Sequence, residues 1–131
     1  MMAIRCFKLA GLYLLIGMSL GAFMGATHQF TLAPVHAHIN LLGWTLLALV
    51  GLIVARFPHL GETRLATAFF WVYNLSLPLS MGLLAALQSG HTQLEPALGM
   101  ASSGMWLGGL LWMLNLLLNL QPANLQASHP H

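Results

Sequence analysis

With 131 residues, 58% of them hydrophobic, only 5% charged and a mean hydropathy of +0.79, the chain has too few polar side chains to cover a soluble domain, where roughly a quarter of residues are charged. Four Lys/Arg against two acids leave a net charge of +2, too little for a nucleic-acid partner, and the single cysteine, Cys6, excludes an internal disulfide framework. This is the composition of an all-α integral membrane protein, and its anomaly is seven histidines.

The first apolar segment runs from about Phe7 to Ala26, long enough at 1.5 Å per residue to cross a hydrocarbon core of roughly 30 Å. Arg5 and Lys8 ahead of it also suit a signal peptide, but Ala26 as a cleavage site would place Met24, not a small residue, at the −3 position. Gly17, Gly21 and Gly25 recur on one face and predict the close approach of another helix. Thr27 to Ala33 is a short connection containing His28, and Pro34 suits the first turn of a second helix over 34–55. That helix ends at Arg56-Phe57-Pro58, with a cation at the negative end of the dipole and a proline stop.

A third span covers 65–87, with Pro78 predicted to bend it and neighbouring polar side chains to take the freed carbonyl. The polar connection from Gln88 to Glu95 holds His91. The last span covers 96–120, with Gly104 and Gly108 one turn apart and Trp106 and Trp112 as bulky or interfacial anchors. One four-helix transmembrane domain, 1–120, is thus expected, followed by a disordered tail over 121–131 that carries His129 and His131. The scattered methionines read as packing, with Met24 a weak alternative ligand.

Arg5 and Lys8 precede the first span, Arg56 and Arg64 lie between the second and third, and the other two connections hold no Lys or Arg. The positive-inside rule then puts both termini in the cytoplasm of a cell whose inner membrane the chain spans four times. His28, His36, His38 and His91 fall near the periplasmic side, His59 inside. Glu62 and Glu95 lie on opposite sides and cannot form an acid–base pair. No serine–histidine–acid set, phosphate loop or nucleotide fingerprint is present.

The functional signal is the run Pro34-Val35-His36-Ala37-His38-Ile39-Asn40-Leu41-Leu42-Gly43-Trp44. Imidazole within a membrane helix tends to face a partner or a functional cavity. Residues i and i+2 of a helix point about 200° apart, so His36 and His38 serve opposite sides and do not grip one ion from one face. Spacing alone leaves copper, zinc and heme iron open. Asn40, one turn from His36, suits a hydrogen bond to a ligand's second nitrogen or to a propionate, or else one between helices, and Trp44 either stacks on a porphyrin edge or is core. His28 and His91 on the outer connections are further candidate copper ligands or loop residues.

Val35-His36-Ala37-His38 followed by Leu42-Gly43-Trp44 resembles the tenth transmembrane helix of heme-copper oxidase subunit I, most closely the C-type oxidases. In that family one histidine of the pair ligates the low-spin heme and the other the high-spin heme. Its twelve helices form three arcs of four, with ligands concentrated on the second helix of each arc. The resemblance implies a pseudo-oxidase homotrimer, with b-type heme between neighbouring second helices, His36 of one protomer and His38 of the next as axial ligands, and a role in electron transfer or diatomic gas binding. An electron donor or a quinone would then be a partner. The chain lacks the family's His-His pair, and Tyr13 and Tyr73 do not match its tyrosine context, so oxygen or nitric oxide reduction is not expected. The alternative is a copper or zinc binding, transport or assembly protein using the same histidines.

Overall fold

The computed structural model describes residues 1–121; the expected tail and its histidines otherwise lie outside the described residues. Four helices account for almost all of it: α1 (Met2–Thr27), α2 (Ala33–Arg56), α3 (Arg64–Gln88) and α4 (Glu95–Asn119). Each is long and apolar enough to cross a membrane. They run up and down, so that the N-terminus, the connection between α2 and α3 and the end of α4 share one end. That end holds Arg5, Lys8, Arg56 and Arg64; it is called the inner end below purely as a label for the cation-bearing end of the bundle, the opposite end being the outer.

The helices are packed in chain order. α1 lies along α2, α2 meets α3 mainly through its outer half, and α3 lies along α4. No close packing of α4 against α1 closes the bundle among the described residues. Large apolar side chains such as Leu15, Met18, Leu75, Trp106 and Leu117 point outward, as lipid-facing positions should.

α1 begins at Met2, five residues before the expected start, so Arg5 and Lys8 lie inside its first two turns. Nothing between Met1 and Phe7 breaks a helix, and packing rewards the extension. Met2 and Cys6 are buried, and a Cβ on Gly61 would lie 3.3 Å from Met2 Cβ. The helix ends at His28, whose φ of 55° is the left-handed stop usually supplied by glycine.

Two of the three spaced glycines of α1 admit α2 closely. A Cβ on Gly17 would come within 2.8 Å of Asn40 Cγ, and one on Gly21 within 2.7 Å of His36 Cε1. Gly25 is a correction: nothing lies within 4 Å of its Cβ position. α2 starts only at Ala33, and the chain has already turned away at that level.

Pro34 stands in the first turn of α2. From Ile39 to Thr45 the helix widens to π winding, and local polar groups account for the change. Asn40 Nδ2 donates to His36 O at 3.0 Å, Thr45 Oγ1 donates to Asn40 O at 3.2 Å, and the Leu46 N–H reaches Leu41 O. The wider turn offers a carbonyl across the bundle, and Tyr73 Oη of α3 donates to Leu42 O at 3.1 Å. Gly43 takes the same stretch against α1, since a Cβ there would be 2.6 Å from Tyr13 Cγ. Such π segments are rare and often sit at functional sites.

α3 opens with a cap, Thr63 Oγ1 accepting from the Ala66 N–H at 2.9 Å. It runs unbroken through Pro78. The polar neighbours do not take the carbonyl that Pro78 frees: Asn74 Nδ2 donates to Phe70 O at 2.8 Å and Ser80 Oγ has no partner. The α3–α4 seam follows the glycines, with Gly104 against Ser76 Oγ and Gly108 against Tyr73, and the Phe69 and Trp112 rings 5.2 Å apart. The two indoles therefore divide: Trp112 is buried at 9% exposure and Trp106 faces outward at 71%.

Asn115, fully buried on α4, ties the inner end together. Its Nδ2 donates to Leu60 O at 2.9 Å, and its Oδ1 accepts from Thr63 Oγ1 at 2.7 Å and Asn119 Nδ2 at 3.0 Å.

Candidate functional site

The seam between α1 and α2 fixes His36. Its Nδ1 lies 2.8 Å from Gly17 O, and a carbonyl only accepts, so Nδ1 carries the proton and donates it. The lone pair is then on Nε2. Asn40 Nδ2, 3.3 Å from that same Nδ1, finds no acceptor there and turns to His36 O. The group holding the second nitrogen of His36 is thus the Gly17 carbonyl, a role that was one of the alternatives for Asn40. Asn40 instead shapes the backbone under the imidazole.

His38 is oriented by another carbonyl. Its Nδ1 donates to Pro34 O at 2.7 Å, again leaving the lone pair on Nε2. The residue is exposed and lines a cavity of about 380 Å³ between α2, α3 and α4. Leu42, Met81, Leu84, Leu98 and Met105 form most of the wall. The histidines therefore face different surroundings, His36 against α1 and His38 toward α3 and α4. This is how ligating histidines are usually prepared: one ring N–H is given to a carbonyl or carboxylate, fixing tautomer and ring plane.

The other candidates do not join them. Trp44 is half-buried against the apolar core. His28 caps α1 in the open, and exposed His91 donates from Nδ1 to Ala86 O at 3.1 Å. Met24 is buried at 4% exposure on α1. His59, at the inner end, has the opposite arrangement, donating from Nε2 to Asn119 O at 3.2 Å. Among the described residues no three His, Cys, Asp or Glu side chains gather to hold a metal ion. His28 and His91 thus do not gather with His36 and His38 into such a group among the described residues.

Sequence reasoning missed three participants. The glycine spacing on α1 announced a close approach, but not that Gly17 would supply an acceptor to an imidazole. Met81 and Met105 lie 24 residues apart on different helices, and no local pattern ties either to His38.

The structure defines a class of four-helix architecture in which every helix is long and apolar enough to cross a membrane, with two oriented imidazoles near the start of the second helix. Residues 3–110 match the model of the DUF2871 family, described as a protein of unknown function, and the chain belongs to that family. Neither a curated protein nor a solved structure matches it.

Proposed function

We propose that the protein binds b-type heme in the membrane through His36 and His38 and works in electron transfer or diatomic gas binding, as its resemblance to heme-copper oxidase subunit I implies. One observation carries the reading: both imidazoles donate Nδ1–H to backbone carbonyls and hold Nε2 lone pairs on different sides of one helix. Neutral, oriented imidazole is the donor that heme iron takes axially, so the residues fit the group. A b-type heme would supply one-electron redox chemistry, and His36 Nε2 and His38 Nε2 would be the nitrogens that hold it, in a largely apolar surrounding.

Two oriented histidines on one helix cannot both ligate a single iron from opposite faces, so each needs a counterpart. The proposed assembly is a homotrimer in which His36 of one protomer and His38 of the next share a heme. The open, chain-order arrangement of the four helices supports this reading, because it leaves α1 and α4 at the two edges. With the cations at the inner end, the positive-inside rule puts both termini in the cytoplasm and the histidines near the periplasmic side of an inner membrane. An electron donor or quinone remains the proposed redox partner.

The test is an optical spectrum, iron content and native mass of protein purified from heme-replete cells. The expected result is a Soret band and a sharp reduced α-band that are lost in His36→Ala and His38→Ala and kept in His59→Ala, with three chains per particle. Absence of a Soret band, or full heme content in a monomer, overturns the reading.

A second reading, a copper carrier or assembly protein, is favoured by one observation: Met81 and Met105 line the same cavity as His38.

A further inference from the structure

We infer that the cavity between α2, α3 and α4 is a copper(I) site whose donors are His38 Nε2 and the thioether sulfurs of Met81 and Met105. The inference rests on the second reading of His38 and not on the porphyrin reading. One lone pair serves one metal, so the two assignments exclude each other at His38, and copper there removes the counterpart that the porphyrin reading gives His36.

Three helices each contribute one donor to the wall of a single cavity of about 380 Å³. Thioether and imidazole are soft or borderline donors, and sulfur of this kind selects Cu(I) among the first-row ions. Methionine also has three rotatable bonds beyond its backbone, so Met81 and Met105 can adjust around an ion that fixed ligands would miss. His38 needs no such freedom, because the 2.7 Å bond from Nδ1 to Pro34 O already sets its ring.

Charge decides between ions. No Asp, Glu, Lys or Arg side chain lines the cavity, and the wall apart from the three donors is mostly leucine. A divalent ion there would keep its full charge in apolar surroundings, which is costly without an anionic partner. Zn(II) and Cu(II) are disfavoured on that ground, whereas Cu(I) brings one charge to three neutral donors. The site also requires no thiolate, so Cys6, buried on α1 near the inner end, plays no part.

The experiment is an anaerobic titration of the purified full-length protein with Cu(I) against a chromogenic chelator, with copper K-edge absorption on the loaded sample and heme content measured on the same material. One tightly held Cu(I) per chain is expected, with nitrogen and sulfur in its first shell. Met81→Leu and Met105→Leu, close in volume to the native residues, should each weaken binding by on the order of 10–100-fold, the loss seen even for outer-shell changes at metal sites. Met18→Leu, altering an outward-facing methionine of α1 outside this cavity, should leave it unchanged. The assignment is overturned if both cavity variants bind Cu(I) as the native protein does, or if only nitrogen and oxygen surround the copper. It is also overturned if His38→Ala abolishes a Soret band, since His38 then belongs to a porphyrin. A Soret band lost only in His36→Ala, with Cu(I) binding lost in His38→Ala, supports copper at His38 and confines heme to His36.

Discussion

Replacing Gly21 by alanine tests the geometry that orients His36 without requiring any ligand to be known. The added Cβ would stand 2.7 Å from His36 Cε1, 3.3 Å from Nδ1 and 3.5 Å from Nε2. Carbon atoms rest about 3.5–4.0 Å apart, so the ring must retreat by roughly 1 Å. It is pinned by the 2.8 Å bond to Gly17 O, and a retreat of that size stretches the bond past the useful range. Overpacking of this kind costs about 1–3 kcal/mol. Gly25→Ala is the matched control on the same helix, because nothing lies within 4 Å of its Cβ position. Removing that glycine should be neutral or stabilise the helix by up to about 1 kcal/mol.

Unfolding in mixed detergent micelles, followed by tryptophan fluorescence, reads the difference directly. Gly21→Ala should fall below Gly25→Ala by at least about 1 kcal/mol. Combined with His36→Ala, which removes the obstructing ring, it should lose most of its effect, giving a coupling within the ~0.5–3 kcal/mol usual for touching residues. If Gly21→Ala is as stable as Gly25→Ala, or adds independently to His36→Ala, the α1–α2 seam is not what positions the imidazole.

Three other changes probe the frame around the site. Asn115→Leu deletes three hydrogen bonds at the inner end and strands the Leu60 carbonyl; a loss of about 1–3 kcal/mol, with faster amide exchange over 58–63, is expected, and unchanged exchange would contradict the clamp. Tyr73→Phe removes the bond to Leu42 O, with a modest expected loss of about 0.6 kcal/mol, typical between membrane helices; a change in spectra at tryptophan 44 without loss of fold would locate the effect in the π segment, and no change in either would refute its support by Tyr73. Gly108→Leu pushes a side chain into Tyr73, whose Cβ would be 3.0 Å from even a single added carbon; separation of α3 from α4 should appear as loss of the Phe69–Trp112 contact in fluorescence, and a native emission would argue against the seam.

The number and placement of the helices were readable because span length and apolar content are fixed by the thickness of hydrocarbon, not by neighbours. Local chemistry also marked the ends: Pro34 in the first turn of α2 and the Arg56-Phe57-Pro58 stop need only backbone geometry. The early start of α1 was hidden because its first turn packs on Gly61, far along the chain. The opposite aim of His36 and His38 followed from helical periodicity alone. What each met did not. Gly17 O, Met81 and Met105 reach the histidines through the packing of separate helices, and a linear pattern carries no term for that. The π winding at Ile39–Thr45 belongs to the same group, because its extra room is used by Tyr13 and Tyr73 from two other helices. Apolar content and helical periodicity are enough for a four-span frame and a helix with imidazoles on two sides, whereas the free nitrogen of each ring and the groups opposite it depend on how separate helices pack.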